Sequence, residues 1–349
     1  MAYNSTPQGL GDEGFMQLRR DPITQSWVIQ QTVEYNWAKS GICPLCPGNE
    51  ALCPPNLYVY PFAQANWQVR VIPHRNPIYE IEGDPARHAE GLYDMMRNLG
   101  AHEVVIEHPD HALQFPDLSD DQATQALRAY VARITDLKKD LRFRYVTLFR
   151  NVGAEAGQEL DHPHSEITAT PFIPRRTAYE LRAALTHYEN KDRCLFCDIV
   201  KQELDLHVRT VEGNELFLAF CPFASRVPYE TWVLPIYHHA SFEEDVTSPE
   251  KQLQLGRLLK STLRRLSSVA KASHLVLHTS PNVNAKPNRA GTWRTLAEDY
   301  HWHIEILPII TGKSRSYSFK EVYFNSLPAP EDAAKELREA GTRRGSGSI

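Results

Sequence analysis

Apolar positions recur at spacings of three and four in two stretches of this chain, and each stretch opens on a capping residue. The first starts near Ser119, with Gln122 three residues on, and sets Leu127, Tyr130, Val131, Ile134, Leu137 and Leu141 on one helical face. The second starts near Ser248 and sets Leu255, Leu258, Leu259, Leu263 and Leu266 likewise. A β-rich run follows each helix, RYVTLFRN at 144–151 and SHLVLHTS at 273–280. An apolar segment ending in histidine precedes each helix: EVVIEHPDH ends at His111 and TWVLPIYH at His238. Each half then reaches a His-x-His-x-Glu string, His162-Pro163-His164-Ser165-Glu166 and His301-Trp302-His303-Ile304-Glu305. Landmarks that recur in one order mark an internal repeat. The pattern predicts an α+β chain of two tandem halves, 15–175 and 190–335, each an antiparallel sheet with helices packed on it. The joining stretch, 176–192, reads as helical and polar, and the tail 341–349 as disordered.

Composition narrows the class without changing this picture. The chain has 349 residues, 42% of them apolar and 23% charged, ordinary for a globular protein of two halves. Apolar runs such as 104–106 and 275–277 are strand-sized, which predicts no membrane partner. The start, MAYNSTPQGLGDEGF, lacks the basic and apolar blocks of a signal peptide, so a cytoplasmic location is expected. A net charge of −5 gives no reason to expect nucleic acid, but leaves room for a small phosphorylated ligand.

Cysteine spacing adds chemistry. Four of the six cysteines form two Cys-x-x-Cys pairs, Cys43/Cys46 and Cys194/Cys197, one ahead of each repeat. Such a pair supplies two thiolates from one turn, half of a tetrahedral zinc shell. The repeat points to Cys43, Cys46, His111 and His162 as one set, and to Cys194, Cys197, His238 and His301 as the other. His108 is an alternative to His111, and His239 to His238. Each set would be a closed, structural site for zinc, with iron or another divalent ion as alternatives. If a metal holds His162, the proline after it stiffens the turn and His164 points to the opposite side of the segment, with a neutral imidazole suited to attack on phosphorus.

These runs carry a resemblance. With RRDPITQSWVI near the start, CPLCPGNE, VRVIPHRNP, HEVVIEHPDH, FRNVGAEAG, HPHSE, PFASRVPYETWVLP, LHTSPN and HWHIEI, the chain resembles the galactose-1-phosphate uridylyltransferase family of the histidine triad superfamily over nearly its whole length. The paired CxxC pattern and the CLFC run are similar to relatives of the ADP-glucose phosphorylase type. The resemblance implies a nucleotidyltransferase of carbohydrate, and specifically galactose, metabolism. In it a nucleoside monophosphate, UMP in the first instance, moves from a nucleotide sugar to His164 and then to a hexose 1-phosphate or to phosphate. It implies that Asn151, Gly153 and Gly157 cradle phosphate oxygens, that His74 and Arg75 lie at the substrate, and that the chain forms a homodimer. Glu180, His278, His301 and His303 also match positions that build a second metal site in some uridylyltransferases, in competition with the cysteines for His301.

The chain departs from the family pattern where substrate should lie. Glu166 stands for the usual glutamine, Glu159 for a serine and His74 for an asparagine. Val33-Glu34-Tyr35-Asn36-Trp37 replaces a basic stretch. Carboxylates about 4 Å from a phosphate cost about 4 kcal/mol per pair of charges at an effective dielectric of 20. Glu34, Glu159 and Glu166 therefore call for partners, with Arg19, Arg20, Arg70, Arg75 and Lys313 as candidates. Phosphorolysis or hydrolysis, with Glu166 as a base toward water, is a second reading. A zinc-stabilised binding protein is a third.

Overall fold

The computed structural model describes residues 16–31, 41–62, 66–285, 293–310 and 328–345. In chain order the elements of the first half are β1 (Met16–Arg20), β2 (Trp27–Gln31), β3 (Tyr58–Tyr60), β4 (Val69–Pro73), β5 (His88–Glu90), β6 (Tyr93–Arg97), β7 (Ala101–Ile106), α1 (Asp120–Leu137), β8 (Tyr145–Val152) and β9 (His164–Thr170). Then follow α2 (Arg175–Lys191), α3 (Leu195–Leu206), β10 (Thr210–Gly213), β11 (Phe217–Phe220), β12 (Thr231–Pro235), α4 (Phe242–Asp245), α5 (Pro249–Leu266), β13 (Ala272–His278), α6 (Leu296–Asp299), β14 (His303–Ile309) and α7 (Pro330–Gly345).

Both expected helices form where their caps lie. The Ser119 hydroxyl accepts from the Gln122 amide, and the Gln122 side chain accepts from the Ser119 amide, closing a capping box on α1. The Ser248 hydroxyl caps α5 by accepting from the Lys251 amide, without the reciprocal bond. The α1 face ends at Leu137. Leu141 lies beyond the helix and is 40% exposed, because the chain turns at Lys138–Arg142 before β8. The polar joining stretch is helix α2. The expected tail differs: α7 continues to Gly345. Ala333, Ala334 and Leu337 of α7 are buried against the core, which supplies packing that the polar end of the sequence does not advertise.

The repeat appears as strand order. The main sheet runs β10-β11-β12-β14-β13-β8-β9-β7-β4-β3, five strands from each half in mirrored order. All of its strand pairings are antiparallel. The halves therefore share one sheet, joined where β8 meets β13 with Leu148 opposite Leu277 and Asn151 opposite His274. That pairing covers what would otherwise be two open edges. A smaller sheet, β2-β1-β6-β5, belongs to the first half alone.

Helices α1 and α5 pack side by side on one face. A Cβ at Gly256 would lie 3.3 Å from that of Ala123, so glycine permits their close approach. Along β9 the pleat sends Ile167 and Ala169 into this helical core and leaves His164, Glu166 and Thr168 on the opposite face. Over the second half that opposite face is covered by α2, α3 and α6, through Leu181, Phe196, Val200, Leu296 and Tyr300. Among the described residues no helix is long and apolar enough to cross a membrane.

Candidate functional site

The site is built at one end of β7 and β9. These strands are antiparallel, with Ile106 opposite His164, so residues after β7 and before β9 converge. His111, His162 and the Cys43–Cys46 turn meet there. Their donor atoms lie within 4.8 Å of one another. Cys46 Sγ is 3.3 Å from His111 Nδ1 and 3.5 Å from His162 Nδ1, and Cys43 Sγ is 3.8 Å from the latter. β12 and β14 repeat the geometry with Cys194, Cys197, His238 and His301, where Cys197 Sγ is 3.3 Å from His238 Nδ1 and 3.6 Å from His301 Nδ1. In both groups ring Nε2–H groups donate to backbone carbonyls: His162 to His108 at 2.8 Å, His238 to Ala297 at 2.7 Å, His301 to Pro235 at 3.1 Å. The proton is thereby fixed on Nε2 and the Nδ1 lone pair faces the sulfurs, the tautomer a metal needs. The hydrogen bond from Cys197 holds the Cys194 thiol below the usual thiol range despite its burial. Both groups could hold zinc. His108 faces Gln122 of the helix cap instead, and His239 faces the Ser241 amide.

His164 follows directly. It is 7% exposed, and its Nδ1–H donates to the His162 carbonyl at 2.7 Å. A carbonyl can only accept, so in the neutral ring the proton sits on Nδ1 and Nε2 carries the lone pair. Below His164, on the helical face, the Ser165 hydroxyl donates to Glu107 at 2.6 Å. Glu107 also pairs with Arg150 and accepts from Tyr130. This buried network clamps β9 and β8 under the site.

Around His164 the departures of the sequence assemble. Glu166 Oε2 is 2.6 Å from His102 Nε2, and its Oε1 is 3.9 Å from His164 Nε2. His74 stacks on His102 with ring centroids 4.2 Å apart and planes 3° from parallel, and its Nε2 is 3.7 Å from Glu159 Oε2. Burial opposes ionisation of Glu166, but the hydrogen bond from His102 outweighs it and holds the carboxyl below its ordinary value. Burial pushes His74 down to about 4. Partial burial and the charge of Glu166 push Glu159 up.

The partners of these two carboxylates are therefore imidazoles. Among the expected arginines, Arg20 pairs with Asp94, and Arg70 lies 3.5 Å from Glu50. Arg75 is exposed, and the structure does not bring it against Glu159 or Glu166. Glu34 and Lys313 lie outside the described residues. The sequence reading missed His102 as a partner. Its signal was present in HEVVIEH, but strand pairing was needed to bring it to Glu166.

Phe149 stands opposite Glu166, so two residues along each strand Asn151 comes level with His164. His274 Nδ1, across the join from Asn151, donates to Asn151 Oδ1 at 2.9 Å, a second residue that was not foreseen. This directs the Asn151 amide group by fixing its oxygen. Gly153 and Gly157 adopt φ of +86° and +75°. A Cβ at Gly153 would sit 2.9 Å from that of Ala272. Their N–H groups, however, close the loop on itself: Gly153 donates to the Gln158 side chain at 2.7 Å and Gly157 to the Ala154 carbonyl at 3.0 Å. These two amides have partners within the loop: the short helical turn Ala154–Ala156 takes that of Gly157 and the Gln158 side chain that of Gly153.

The second half repeats the device and then encloses it. His303 Nδ1–H donates to the His301 carbonyl at 3.2 Å, but the ring is 0% exposed, stacked on Phe196, Trp232 and His278 at 5.0, 5.3 and 4.6 Å. His278 Nδ1 is 3.1 Å from Glu180, and Nε2 is 3.5 Å from Glu305. Arg176 and Arg226 hold Glu305 at 2.8 and 2.7 Å. Glu180, His278, His303 and Glu305 form a further cluster within 4.8 Å, distinct from the cysteine group that takes His301.

Burial alone would lower the His278 pKa, but Glu180 and Glu305 raise it to about 9. Its folded value thus lies above the unfolded one of about 6.5, so its contribution to stability is complete below about pH 6.5 and is lost as pH rises through about 9. The melting temperature is expected to fall across that window. His278→Gln should flatten the fall, and an unchanged pH slope in the variant would exclude this cluster as its source.

Comparison with known proteins agrees with this architecture. Residues 18–174 match the family model of the galactose-1-phosphate uridyl transferase, N-terminal domain. An ADP-glucose phosphorylase of Arabidopsis thaliana is 28% identical over 342 residues, covering 93% of this chain and 92% of the relative. A galactose-1-phosphate uridylyltransferase of Thermotoga maritima is 27% identical over 333 residues, covering 93% of this chain and 98% of the relative. Over nearly its whole length the chain is similar to galactose-1-phosphate uridylyltransferases and to an ADP-glucose phosphorylase. The crystal structure of an ADP-glucose phosphorylase from Arabidopsis thaliana with bound ADP-glucose superposes on it with a TM-score of 0.73 at 28% identity, covering 92% of this chain and 97% of that one.

Proposed function

We propose that the chain moves a nucleoside monophosphate, UMP in the first instance, from a nucleotide sugar to a hexose 1-phosphate through a covalent nucleotidyl-His164. The observation that carries this reading is the hydrogen bond of 2.7 Å from His164 Nδ1 to the His162 carbonyl, which places the lone pair of the neutral ring on Nε2. Nε2 attacks the α-phosphorus, the bond to the sugar phosphate breaks, and the sugar phosphate leaves with the electron pair. A second sugar phosphate then attacks the phosphoramidate from the vacated side and returns the pair to Nε2. Asn151, oriented by His274, donates its amide hydrogens to the phosphoryl oxygens.

Cys43, Cys46, His111 and His162 would hold one zinc ion, and Cys194, Cys197, His238 and His301 another. Each is structural, supplying rigidity: the first fixes the carbonyl of His162 on which the tautomer of His164 depends. A homodimer, which the resemblance implies, is tested by sedimentation velocity.

Intact-mass spectrometry after separate incubation with UDP-glucose and ADP-glucose tests the covalent step. A gain of one nucleoside monophosphate identifies both intermediate and base, and no gain with either donor from zinc-replete protein sinks the reading. His274→Ala is expected to raise KM for the donor about tenfold, the loss of about one oriented hydrogen bond. Initial rates check this, and an unchanged KM would leave Asn151 independent of His274.

A further inference from the structure

Three of the positions at which this chain departs from the pattern of its family fall together in space. Glu166, where the family has an amide, reaches His102 at 2.6 Å and stands 3.9 Å from His164 Nε2. His74, in place of asparagine, stacks on His102 and faces Glu159, in place of serine. An amide at position 166 could donate a hydrogen bond to a phosphoryl group on His164. An ionised carboxylate can only accept. Beside a phosphate it is a liability unless it has a proton to take, and 3.9 Å is too long for a hydrogen bond to His164 itself.

Donor atoms of His74, His102 and Glu166 lie within 4.8 Å of one another and have the make-up of a metal-ligand set. The tautomers decide against that use. His74 Nδ1 accepts from the Asn76 amide at 3.1 Å, and His102 Nδ1 accepts from the Ile78 amide at 3.3 Å. Both rings therefore carry their proton on Nε2, pointing inward, the reverse of the arrangement in the two Cys2His2 groups. The cluster is a set of N–H donors gripping a carboxylate: His102 fixes one oxygen of Glu166 and turns the other toward the reacting histidine.

We infer that Glu166 is a general base toward water, so that the nucleotidyl-His164 is discharged by hydrolysis when no sugar phosphate is bound, with His102 as its positioning residue. This rests on the covalent intermediate proposed above. The oxygen of water forms its bond to phosphorus as the bond from phosphorus to Nε2 breaks, and the electron pair returns to Nε2. The proton lost by water passes to Glu166 Oε1 and then to solvent as the nucleoside monophosphate leaves. No oxidant, reductant or further reactant is required. The departures thus become one device: the carboxylate that repels an incoming sugar phosphate is the one that activates water against the intermediate.

The test follows zinc-replete wild type and Glu166→Gln with UDP-glucose and, separately, ADP-glucose in ¹⁸O-water without any acceptor. Rapid acid-free quench and intact mass read the adduct, and mass spectrometry of the released monophosphate reads the label. Wild type is expected to release monophosphate carrying one ¹⁸O from a short-lived adduct. In Glu166→Gln release should slow about 100-fold, more than formation does, so that the adduct accumulates. His102→Ala should move the acid limb of the release profile to higher pH, a change that loss of packing alone would not produce. A wild-type adduct that persists without acceptor as long as that of Glu166→Gln overturns the hydrolytic role and leaves the nucleotidyl transfer intact. A wild type that forms no adduct and releases nothing overturns both readings.

Discussion

Replacing His164 with alanine is expected to lower turnover of a nucleotide sugar by about 10⁴-fold or more while changing its dissociation constant by less than about threefold. The asymmetry follows from the geometry. The imidazole is nearly buried and its Nδ1–H is committed to the His162 carbonyl, so Nε2 offers a lone pair to the substrate and little binding surface. Neither His303 nor His102 can take its place: His303, its counterpart in the repeat, is 0% exposed behind aromatic rings, and the ring nitrogens of His102 are engaged by Glu166 and the Ile78 amide. Steady-state rates and calorimetric titration check both parts. Activity within tenfold of wild type would place the nucleophile elsewhere.

The second large effect concerns the metals. Purified protein is expected to carry two zinc equivalents per chain, and Cys43→Ala with Cys46→Ala should leave one. Removing a structural zinc withdraws binding energy on the order of 10 kcal/mol from the folded state. Even a fraction of that should lower the melting temperature by more than about 10 °C. The two sites should differ in what they silence. Loss of the first frees His162 and with it the carbonyl that sets the His164 tautomer, so adduct formation should disappear. Loss of the second, through Cys194→Ala with Cys197→Ala, should loosen α3 and the rings around His303 and reduce stability more than chemistry. Metal analysis, thermal melts and the adduct assay on each double variant separate these outcomes. Fewer than two equivalents in wild type, or equal melting temperatures with and without chelator, would remove the symmetric assignment.

Much of this site can be read without coordinates. The Cys-x-x-Cys turns, the histidine that closes each apolar segment and the His-x-His string are local patterns, and the repeat told which to combine. The antiparallel pairing of β7 with β9 and of β12 with β14 then brings those positions to the same strand ends. Where local pattern had competing answers, as between His108 and His111 or His238 and His239, a cap contact to Gln122 and a turn at Ser241 separate them. The expectation that Gly153 and Gly157 offer amides to a phosphate came from the resemblance and not from the spacing of residues. Their positive φ has a different use, a closed turn packed on Ala272.

The amino-acid sequence by itself determined the repeat, the two capped helices and the residues that could share a metal, because each depends on spacing within one element or one turn. Tertiary structure alone decided that β8 and β13 join the halves into one sheet, that His102 becomes the partner of Glu166 with His74 stacked on it, and that His303 is fully buried while His164 keeps 7% of its surface exposed. These depend on which strand lies beside which and on what covers the sheet. Such contacts link residues as far apart as Asn151 and His274, and a period of two along a strand says which face a side chain takes but not what it meets there.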